Sequence, residues 1–491
     1  MRPVMILIPI FLPLAGGAVL LMRHHMEEMH RRIYLELISL ATTAFVWGLL
    51  LMGRTPVFTL YRFTGGFSMN FAVDGMSMLF AGMVSVMWPL VFLYAFAYME
   101  NAGWKNSFFA FYLMTYGITL GVAFSASLLT MYVFYEMLTL VTIPLVAHYR
   151  DHEGMHAART YAAYTIGGAA LAFMAVIWIT LNGNEGIFSY GGSMEGSFAG
   201  SASSLVRLIY LLAFFGFGVK AAVFPLHAWL PIAGVAPTPV TALLHAVAVV
   251  NSGAFAVSRL TWYSVGTDLI KGTWAQHIPL AVSSFTLVFA ACMAVKERHF
   301  KRRLAYSTVS NLSYMLFGIT LMTVPGLVGG LSHMLFHGII KMVLFLCAGA
   351  FMHMTGNSYI YEVNGAGRKM PVNFALYTLS ALSLVGIPLF AGFVSKWQLL
   401  TAGLEAGTRL GTVGVFCLIT SAFLCAVYTL SVTIRAYFPP VRKDLYRDAD
   451  VKEAPLLMLI PIGIFAVLNV AFGVYPGPVM SFLGRIAQGL L

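Results

Sequence analysis

Long apolar runs recur from one end of the chain to the other, separated by short polar stretches. Each run holds about 20 residues, the length that a helix needs to cross roughly 30 Å of hydrocarbon. The pattern predicts about fourteen transmembrane spans. Their approximate positions are 3–22, 33–52, 74–98, 107–124, 126–147, 158–181, 205–231, 236–262, 277–295, 303–324, 327–353, 373–402, 411–438 and 455–478.

Composition points to the same class of protein. Of the 491 residues, 59% are hydrophobic and only 10% are charged, whereas soluble domains carry roughly 25% charged residues. The longest polar connections hold about 15–20 residues, well short of the roughly 50 that a separate domain needs. We therefore predict one all-α polytopic membrane domain over residues 1–491, with no soluble catalytic domain.

The net charge of +11 has a topological explanation. About sixteen Lys and Arg residues fall in loops that follow odd-numbered spans, and about four fall in loops that follow even-numbered spans: Arg54, Arg62, Lys271 and Arg409. Cytoplasmic loops retain Lys and Arg. The bias predicts a multi-pass protein of the cell inner (cytoplasmic) membrane with both termini on the outer side. Nucleic acid is not needed as a partner to explain the charge.

Two predicted spans are interrupted next to a lysine. Span 7 carries Pro225 and Pro231 after Lys220, and span 12 carries Gly386-Ile387-Pro388 ahead of Lys396. Proline within a helix removes a backbone hydrogen bond. In lipid this is tolerated only where protein or water satisfies the exposed backbone groups. We expect both helices to be broken.

The two interruptions lie about five spans apart, which indicates an internal repeat. Transporters built from inverted repeats carry discontinuous helices at corresponding positions. The sequence favours two inverted five-helix repeats, approximately 107–262 and 277–438. Two unrelated kinks are the alternative, because direct residue identity between the halves is weak.

Four ionisable side chains lie deep within apolar spans: Glu136, Lys220, Lys341 and Lys396. Each would cost about 2.5–3.5 kcal/mol at the bilayer centre without a partner or a water-filled cavity. Glu136 and Lys220 form the natural pair. A purely structural salt bridge is the alternative, but it leaves Lys341 and Lys396 without an acidic neighbour.

Span 11 places His333, His337 and Lys341 at positions i, i+4 and i+8. This spacing stacks the three groups on one helix face over about 12 Å. Histidine titrates near neutral pH and has two ring nitrogens, so it can accept a proton on one side and release it from the other. Span 8 adds His245, with Asn251 further along. We predict a proton relay rather than a set of packing histidines.

Metal and cofactor chemistry are less well supported. His333 and His337 have the helical spacing of zinc ligands, but the stretch HMLFH lacks the glutamate of HExxH. The four cysteines lie in apolar segments without CxxC spacing. We therefore predict no metal, no cofactor and no redox centre in this chain, and its status as an enzyme stays open.

Several stretches together resemble one known family. The sequence is similar to the antiporter-like membrane subunits of respiratory complex I, of membrane-bound hydrogenases of the formate hydrogenlyase type, and of multisubunit Na+/H+ (Mrp) antiporters. The stretches that carry the resemblance are FAVDGMSMLF, YEMLTL, VKAAVFPLHAWLPIAGVAPTPVTALLHA, RRLAYSTVSNLSYM, HMLFHGIIKMVLFLCAG and GIPLFAGFVSKWQLL.

The resemblance implies a fold and a set of roles. It implies about fourteen helices, an inverted repeat, and broken helices 7 and 12. It implies that Glu136 pairs with Lys220, that His245 and Lys341 are relay positions, and that Lys396 lies near the outward exit.

The function expected from this resemblance is proton translocation, or Na+/H+ exchange, by one subunit of a multisubunit membrane complex. Its partners would be other membrane subunits and peripheral redox subunits, within the lipid bilayer. The alternatives are a stand-alone secondary transporter and a scaffold subunit that conducts no ions. The host complex, the coupled reaction and the transported ion stay open.

Overall fold

A computed structural model gives the architecture of the chain. The structure describes residues 3–23, 26–64, 66–194, 202–440, 445–446 and 451–491. Three basic residues that contribute to the predicted charge bias, Arg442, Lys443 and Arg447, lie outside these ranges.

Helices make up nearly all of the regular structure. The α-helices are α1 (Ile8–Met22), α2 (Glu28–Leu51), α3 (Gly75–Tyr98), α4 (Lys105–Phe124), α5 (Leu128–Val146), α6 (His152–Asn182), α7 (Ala202–Gly218), α8 (Trp229–Ile232), α9 (Thr238–Ala246), α10 (Val249–Arg259), α11 (Trp274–Lys296), α12 (Phe300–Thr320), α13 (Val324–Thr355), α14 (Ala366–Lys369), α15 (Pro371–Val385), α16 (Ala391–Glu405), α17 (Arg409–Tyr437), α18 (Leu456–Val474) and α19 (Gly477–Ala487). Short 3-10 helices span Pro3–Leu7, Ala233–Val235 and Ile360–Val363, and a π-helix continues α10 over Leu260–Val265.

Eleven helical segments within the described residues are long and apolar enough to cross a membrane. They correspond to eleven of the predicted spans, so the multi-pass membrane class is confirmed while the count of fourteen is not. The other three predicted spans are the interrupted spans 7 and 12 and span 10. Span 10 corresponds to α12, which has 21 residues but opens with Phe300-Lys301-Arg302-Arg303.

Polar residues at the chain turns begin several helices. In each case the side chain accepts a hydrogen bond from the backbone N–H three residues later, which satisfies one of the free donors at the helix start. The helices capped in this way include α3, α5, α6, α13 and α17, by Asp74, Ser127, Asp151, Thr323 and Thr408.

The predicted all-α class misses one feature, a β-hairpin between α2 and α3. Strand β1 (Phe58–Thr64) pairs antiparallel with β2 (Phe67–Phe71). Tyr61 and Phe63 on β1 are more than half exposed. A strand signal is present in the sequence, because Phe67-Ser68-Met69-Asn70-Phe71 alternates apolar and polar residues directly after Gly65-Gly66.

The depth of burial separates central helices from peripheral ones. Within the most apolar 18-residue stretch of each helical segment, all residues of Thr238–Val265 and 94% of those of α13 are buried. In the corresponding stretches of α2, α17 and α18, only 28%, 33% and 33% of the residues are buried. α13 packs against α9, α12, α15, α16 and α18. The helices that carry most of the predicted site therefore form the centre of the bundle, with α1, α2, α17 and α18 at its rim.

Candidate functional site

The first break places Lys220 in the middle of the bundle. α7 ends at Gly218, the chain turns through 219–228, and α8 begins at Trp229. Lys220 is fully buried in this turn. Its Nζ donates a hydrogen bond to the backbone carbonyl of Tyr135 on α5 and lies 3.6 Å from the centre of the Tyr135 ring.

Neighbouring side chains bind the backbone groups that the first break releases. Trp229 Nε1 donates to the carbonyl of Val219 (2.8 Å), and Thr286 Oγ1 accepts from the N–H of Phe224 (3.2 Å). The protein itself thus satisfies this irregular backbone, as a membrane interior requires. The predicted break in span 7 is confirmed.

A glycine on α10 allows the break to approach that helix closely. A Cβ added at Gly253 would lie 2.4 Å from the backbone nitrogen of Ala221 and 2.7 Å from the carbonyl carbon of Lys220. Any larger residue would push the lysine backbone away. Gly253 therefore fixes the position of Lys220.

Glu136 lies next to Tyr135 on α5 and is only partly buried. Its Oε1 has no hydrogen-bond partner among the described residues. The expected direct contact with Lys220 is not formed in this structure, because no carboxylate oxygen of Glu136 lies within 4.0 Å of Lys220 Nζ. The ammonium group binds the neighbouring backbone carbonyl instead, while each charge still acts on the other.

The second break places Lys396 against the end of a helix. α15 ends at Val385, and α16 begins at Ala391. Lys396 Nζ donates to the carbonyls of Leu384 (2.6 Å) and Val385 (3.2 Å). A cation at a helix C-terminus binds the carbonyls that have no partner within the helix and opposes the negative end of the helix dipole. The predicted break in span 12 is confirmed as well.

His333 on α13 joins two other helices. Asn311 on α12 donates through Nδ2 to the carbonyl of Ser307 (2.7 Å), which orients its Oδ1 toward His333 Nε2 (3.2 Å). Because Oδ1 can only accept, Nε2 carries the hydrogen. The other ring nitrogen, Nδ1, is hydrogen-bonded to Ser395 Oγ on α16 (2.9 Å).

Lys341 also lies on α13, and like His333 it contacts α12. It is fully buried, and its Nζ donates to Ser307 Oγ (2.7 Å) and to the carbonyl of Leu304 (3.0 Å). Both acceptors are neutral. A polar connection thus runs from His333 through Asn311 and Ser307 to Lys341.

Two further histidines complete this centre. His337 and His245 are fully buried, and neither ring nitrogen of either has a hydrogen-bond partner among the described residues. The His337 ring lies 6.0 Å from that of His333, and the His245 ring lies 4.9 Å from that of Phe345, one turn after Lys341. The charge of Lys341 acts on both histidines.

A third helix break, which the sequence pattern does not predict, lies beside His245. α9 ends at Ala246 and α10 begins at Val249. Asn251 closes this break because its Nδ2 donates to the carbonyl of Ala246 (2.8 Å). The run from His245 to Asn251 contains no proline or glycine, which explains why its pattern resembles a continuous helix.

The predicted site residues thus fall into two groups. Glu136 and Lys220 lie on one side, between α5 and the first break. His245, His333, His337, Lys341 and Lys396 lie together around α13 and act on one another electrostatically; we call these five residues the relay cluster. No group of three or more His, Cys, Asp or Glu side chains in the described part of the chain is placed to hold a metal ion.

Residues 125–423 match the family model described as NADH:quinone oxidoreductase/Mrp antiporter, transmembrane. The chain belongs to this family. The matched region contains Glu136, Lys220 and the whole relay cluster.

Curated relatives of the chain carry antiporter names. The chain is 30% identical over 436 residues to the type-A subunit of the Na(+)/H(+) antiporter of Alkalihalophilus pseudofirmus, covering 84% of this chain and 53% of that protein. It is 29% identical over 433 residues to the type-A1 subunit of the Na(+)/H(+) antiporter of Staphylococcus haemolyticus, with the same coverage. The chain therefore spans about half the length of the curated relatives it matches.

Solved structures share the fold over nearly the whole chain. A chain of the membrane-bound sulfane sulfur reductase, an archaeal respiratory membrane complex, matches with a TM-score of 0.86 at 22% identity over 98% of this chain and 97% of that one. A chain of the Mrp complex from Dietzia sp. DQ12-45-1b matches with a TM-score of 0.83 at 21% identity, over 100% of this chain and 98% of that one. A chain of respiratory complex I from Thermus thermophilus matches with a TM-score of 0.82 at 23% identity, over 99% of this chain and 100% of that one. All three belong to multisubunit membrane complexes.

Sequence reasoning misses one buried lysine of this chain, Lys301. Lys301 stands beside Arg302 and Arg303, so the sequence pattern assigns it to a loop, but only 4% of it is exposed. Its Nζ donates to the carbonyl of Ala236 (2.8 Å). A sequence signal exists, because Lys301 lies three residues before Leu304 and eleven before Leu312, and hence on the same apolar helix face.

Sequence reasoning also misses a buried ion pair. Arg259 is fully buried and holds Asp74 through two hydrogen bonds of 2.5 and 2.7 Å. Three aromatic rings surround its guanidinium group at 4.9–5.1 Å, those of Phe188, Phe255 and Tyr263. The pair ties the start of α3 to the end of α10.

Glu36 corrects a further expectation from the sequence. The predicted span boundaries put it close to a helix end, yet it lies in the third turn of α2. Its Oε2 is buried without a hydrogen-bond partner among the described residues.

Proposed function

We propose that this chain translocates protons across the membrane as an antiporter-like subunit of a larger membrane complex. The observation that carries the proposal is the relay cluster: five titratable side chains gathered on and around the deeply buried helix α13, without a carboxylate among them. Membership of the family and the antiporter names of the relatives support the same function.

Lys341 is suited to exchange its proton within the relay cluster. Its acceptors, Ser307 Oγ and the Leu304 carbonyl, are neutral, so loss of the proton leaves no unpaired carboxylate behind. His337 and His333 follow at one-turn intervals on α13, and His333 reaches Ser395, the neighbour of Lys396. Transfer between members that are not in hydrogen-bond contact proceeds through bridging water or side-chain rotation.

Glu136 and Lys220 form the proposed switch. A carboxylate that approaches a buried ammonium group stabilises the charged form, and its withdrawal favours release of the proton. In the present arrangement Lys220 binds the Tyr135 carbonyl instead of Glu136. A membrane potential opposes transfer with about 2.3 kcal/mol per charge for each 100 mV, and the approach of two poorly solvated opposite charges releases energy of that order.

We extend the proposal to the partners, the transported ion and the orientation of the chain. Other membrane subunits, and peripheral redox subunits in a respiratory complex, would bias the Glu136–Lys220 switch. Na+ would be exchanged for protons in an antiporter complex, as the names of the relatives suggest. Both termini would lie on the outer side of the inner membrane, in keeping with the placement of Lys and Arg along the sequence.

Replacing the central lysine tests the function directly. Lys341→Met removes the titratable group at similar length, and we expect proton transport by the assembled complex in sealed vesicles to fall at least about tenfold, because the relay loses its middle member. A pH-sensitive fluorescent dye inside the vesicles measures the transport rate. Lys271→Met, at an exposed turn before α11, is the matched control and should transport normally.

The amount of assembled complex is measured together with the transport rate, so that a loss of transport is not mistaken for a loss of assembly. The amount of assembled complex in the membrane must match the unaltered protein, since Lys341→Met also removes two hydrogen bonds. If the variant assembles fully and transports protons at the rate of the Lys271→Met control, the proton-translocating function of this cluster is refuted.

A further inference from the structure

A basic pocket lies at the surface where α1 ends and where α2 and α4 begin. Its volume is about 380 Å³, and three cationic side chains, Arg23, Arg31 and Lys105, line it together with Leu21 and Trp104. We call this cavity the basic pocket. It lies at the rim of the bundle and shares no residue with the relay cluster.

Arg31 is the least exposed cation of the basic pocket. Only 7% of the residue is exposed. Its NH1 donates to Asn106 Oδ1 (3.2 Å) and to the carbonyl of Met26 (3.5 Å), while its buried Nε has no partner within the described residues. A desolvated guanidinium group is costly unless an anion or further acceptors satisfy it.

The nearby carboxylates do not neutralise the two arginines. Glu28 binds Arg32 and lies 3.5 Å from Lys105. Glu27 lies 3.0 Å from His30. Neither acid, nor any other described carboxylate, lies within 4.0 Å of the arginines of the basic pocket. The pocket therefore keeps a net positive charge and attracts an anion.

The surroundings of the pocket are those of a lipid-binding surface. A second cavity of about 570 Å³ shares Arg23 and Met26 with the basic pocket and continues along α2 past Ile33 and Leu37. These two side chains are 50% and 62% exposed. Trp104 stands at the pocket edge, where tryptophan commonly marks the interface between headgroups and hydrocarbon. A cationic pocket thus leads onto a track along α2 that passes the pair of Glu27 and His30 and becomes apolar at Ile33 and Leu37.

We propose that the basic pocket binds the phosphate of an anionic phospholipid, with one acyl chain along the exposed face of α2. Arginine is well suited to phosphate because its planar group donates two parallel hydrogen bonds. Inorganic phosphate has the same charge chemistry but would leave the apolar track unused. This site is independent of the proton-translocating function.

Lipid binding by the assembled complex tests the proposal. The complex is purified in detergent, stripped of lipid and titrated with phosphatidylglycerol, and bound lipid is counted by native mass spectrometry. Arg31→Gln and Arg23→Gln should each weaken binding about fivefold, as expected for one basic residue at a membrane surface. Arg62→Gln, at an exposed position of β1, is the matched control and should bind as the unaltered protein does.

Arg31→Gln and Arg23→Gln together separate a loss of lipid binding from a loss of folding. Arg31→Gln removes a hydrogen bond to Asn106 and weakens the fold to some extent, whereas Arg23 is exposed, so Arg23→Gln tests binding alone. Equal binding by all variants would refute the site. Equally tight binding of phosphatidylcholine, or displacement of the lipid by millimolar inorganic phosphate, would refute its assignment to an anionic phospholipid.

Discussion

The buried lysines of this chain share one arrangement: each donates to a backbone carbonyl and none is within 4.0 Å of a carboxylate among the described residues. A carbonyl dipole stabilises an ammonium group without fixing it as one half of an ion pair, so either protonation state is tolerated. Arg259 differs, because it is held by Asp74 and cannot release a proton. The lysines and their acceptors are Lys220 with Tyr135, Lys301 with Ala236, Lys341 with Leu304 and Lys396 with Leu384.

Glu136 and Asp74 should therefore differ when each is replaced by its amide: the first change should affect transport, and the second should affect stability. Glu136→Gln should abolish proton transport while leaving thermal stability nearly unchanged, because Glu136 Oε1 makes no hydrogen bond within the described structure. Asp74→Asn should lower stability by about 3 kcal/mol, because it strands a buried guanidinium group. Transport in vesicles and thermal unfolding of the purified complex measure the two effects.

The exposed Glu405→Gln at the end of α16 is the control for both measurements. A stable Asp74→Asn protein would show that the bidentate pair with Arg259 does not anchor α3. Normal transport by Glu136→Gln would show that the switch lies elsewhere.

At the scale of elements, the interruptions of the helices decide where the site lies. Lys220 lies in the first break, His245 directly before the unpredicted one at 247–248, and Lys396 binds the carbonyls of the last. A broken helix exposes carbonyls inside the protein, and Lys396 binds two of them. Lys220 and Lys341 instead bind carbonyls of the continuous helices α5 and α12.

The sequence predicts the breaks that proline marks and misses the one that it does not. Pro225 and Pro388 are visible in any window, whereas the break after His245 depends on Asn251 binding the Ala246 carbonyl in the folded protein. The same distinction applies to charges. An isolated lysine in an apolar run indicates its own burial, but Lys301 is hidden among neighbouring arginines, and only tertiary packing reveals it.

Gly253→Ala tests the importance of the close contact between α10 and the first break. The added methyl group would lie 2.4 Å from the Ala221 nitrogen, and backbone cannot yield as a side-chain tip can. We expect a loss of about 1–3 kcal/mol in stability from overpacking, together with slower proton transport because Lys220 is displaced.

The matched control for this change is Gly463→Ala in α18, where an added methyl group meets no atom within 4 Å. Alanine is the better helix former, so this variant should be neutral or more stable by up to about 1 kcal/mol. Equal behaviour of the two variants in thermal unfolding and in transport would mean that the approach of α10 to Lys220 has no role.

At the scale of the whole molecule, apolar rim helices surround a polar centre. A third or less of the most apolar stretches of α2, α17 and α18 is buried, as contact with lipid or neighbouring subunits requires, while α13 and Thr238–Val265 hold His245, His333, His337 and Lys341 inside the bundle. Patterns of hydrophobicity predict this bundle well because every span must cross the same hydrocarbon thickness. They do not tell which face of a helix meets lipid and which meets a partner protein, since both are apolar.

The charge pattern predicts the orientation of the bundle, and this prediction can be tested across a single helix. Lys271 precedes α11 and Arg302 lies just after it, both exposed, so one membrane crossing separates them. The excess of Lys and Arg on the side of Arg302 predicts that this side is cytoplasmic. In a background without the four native cysteines, Lys271→Cys should react with a membrane-impermeant thiol reagent in intact cells, and Arg302→Cys only after permeabilisation. The reverse labelling pattern would show that the bundle has the opposite orientation, with both termini inside. The basic pocket would then lie at the outer leaflet, where the retention of Lys and Arg has no explanation.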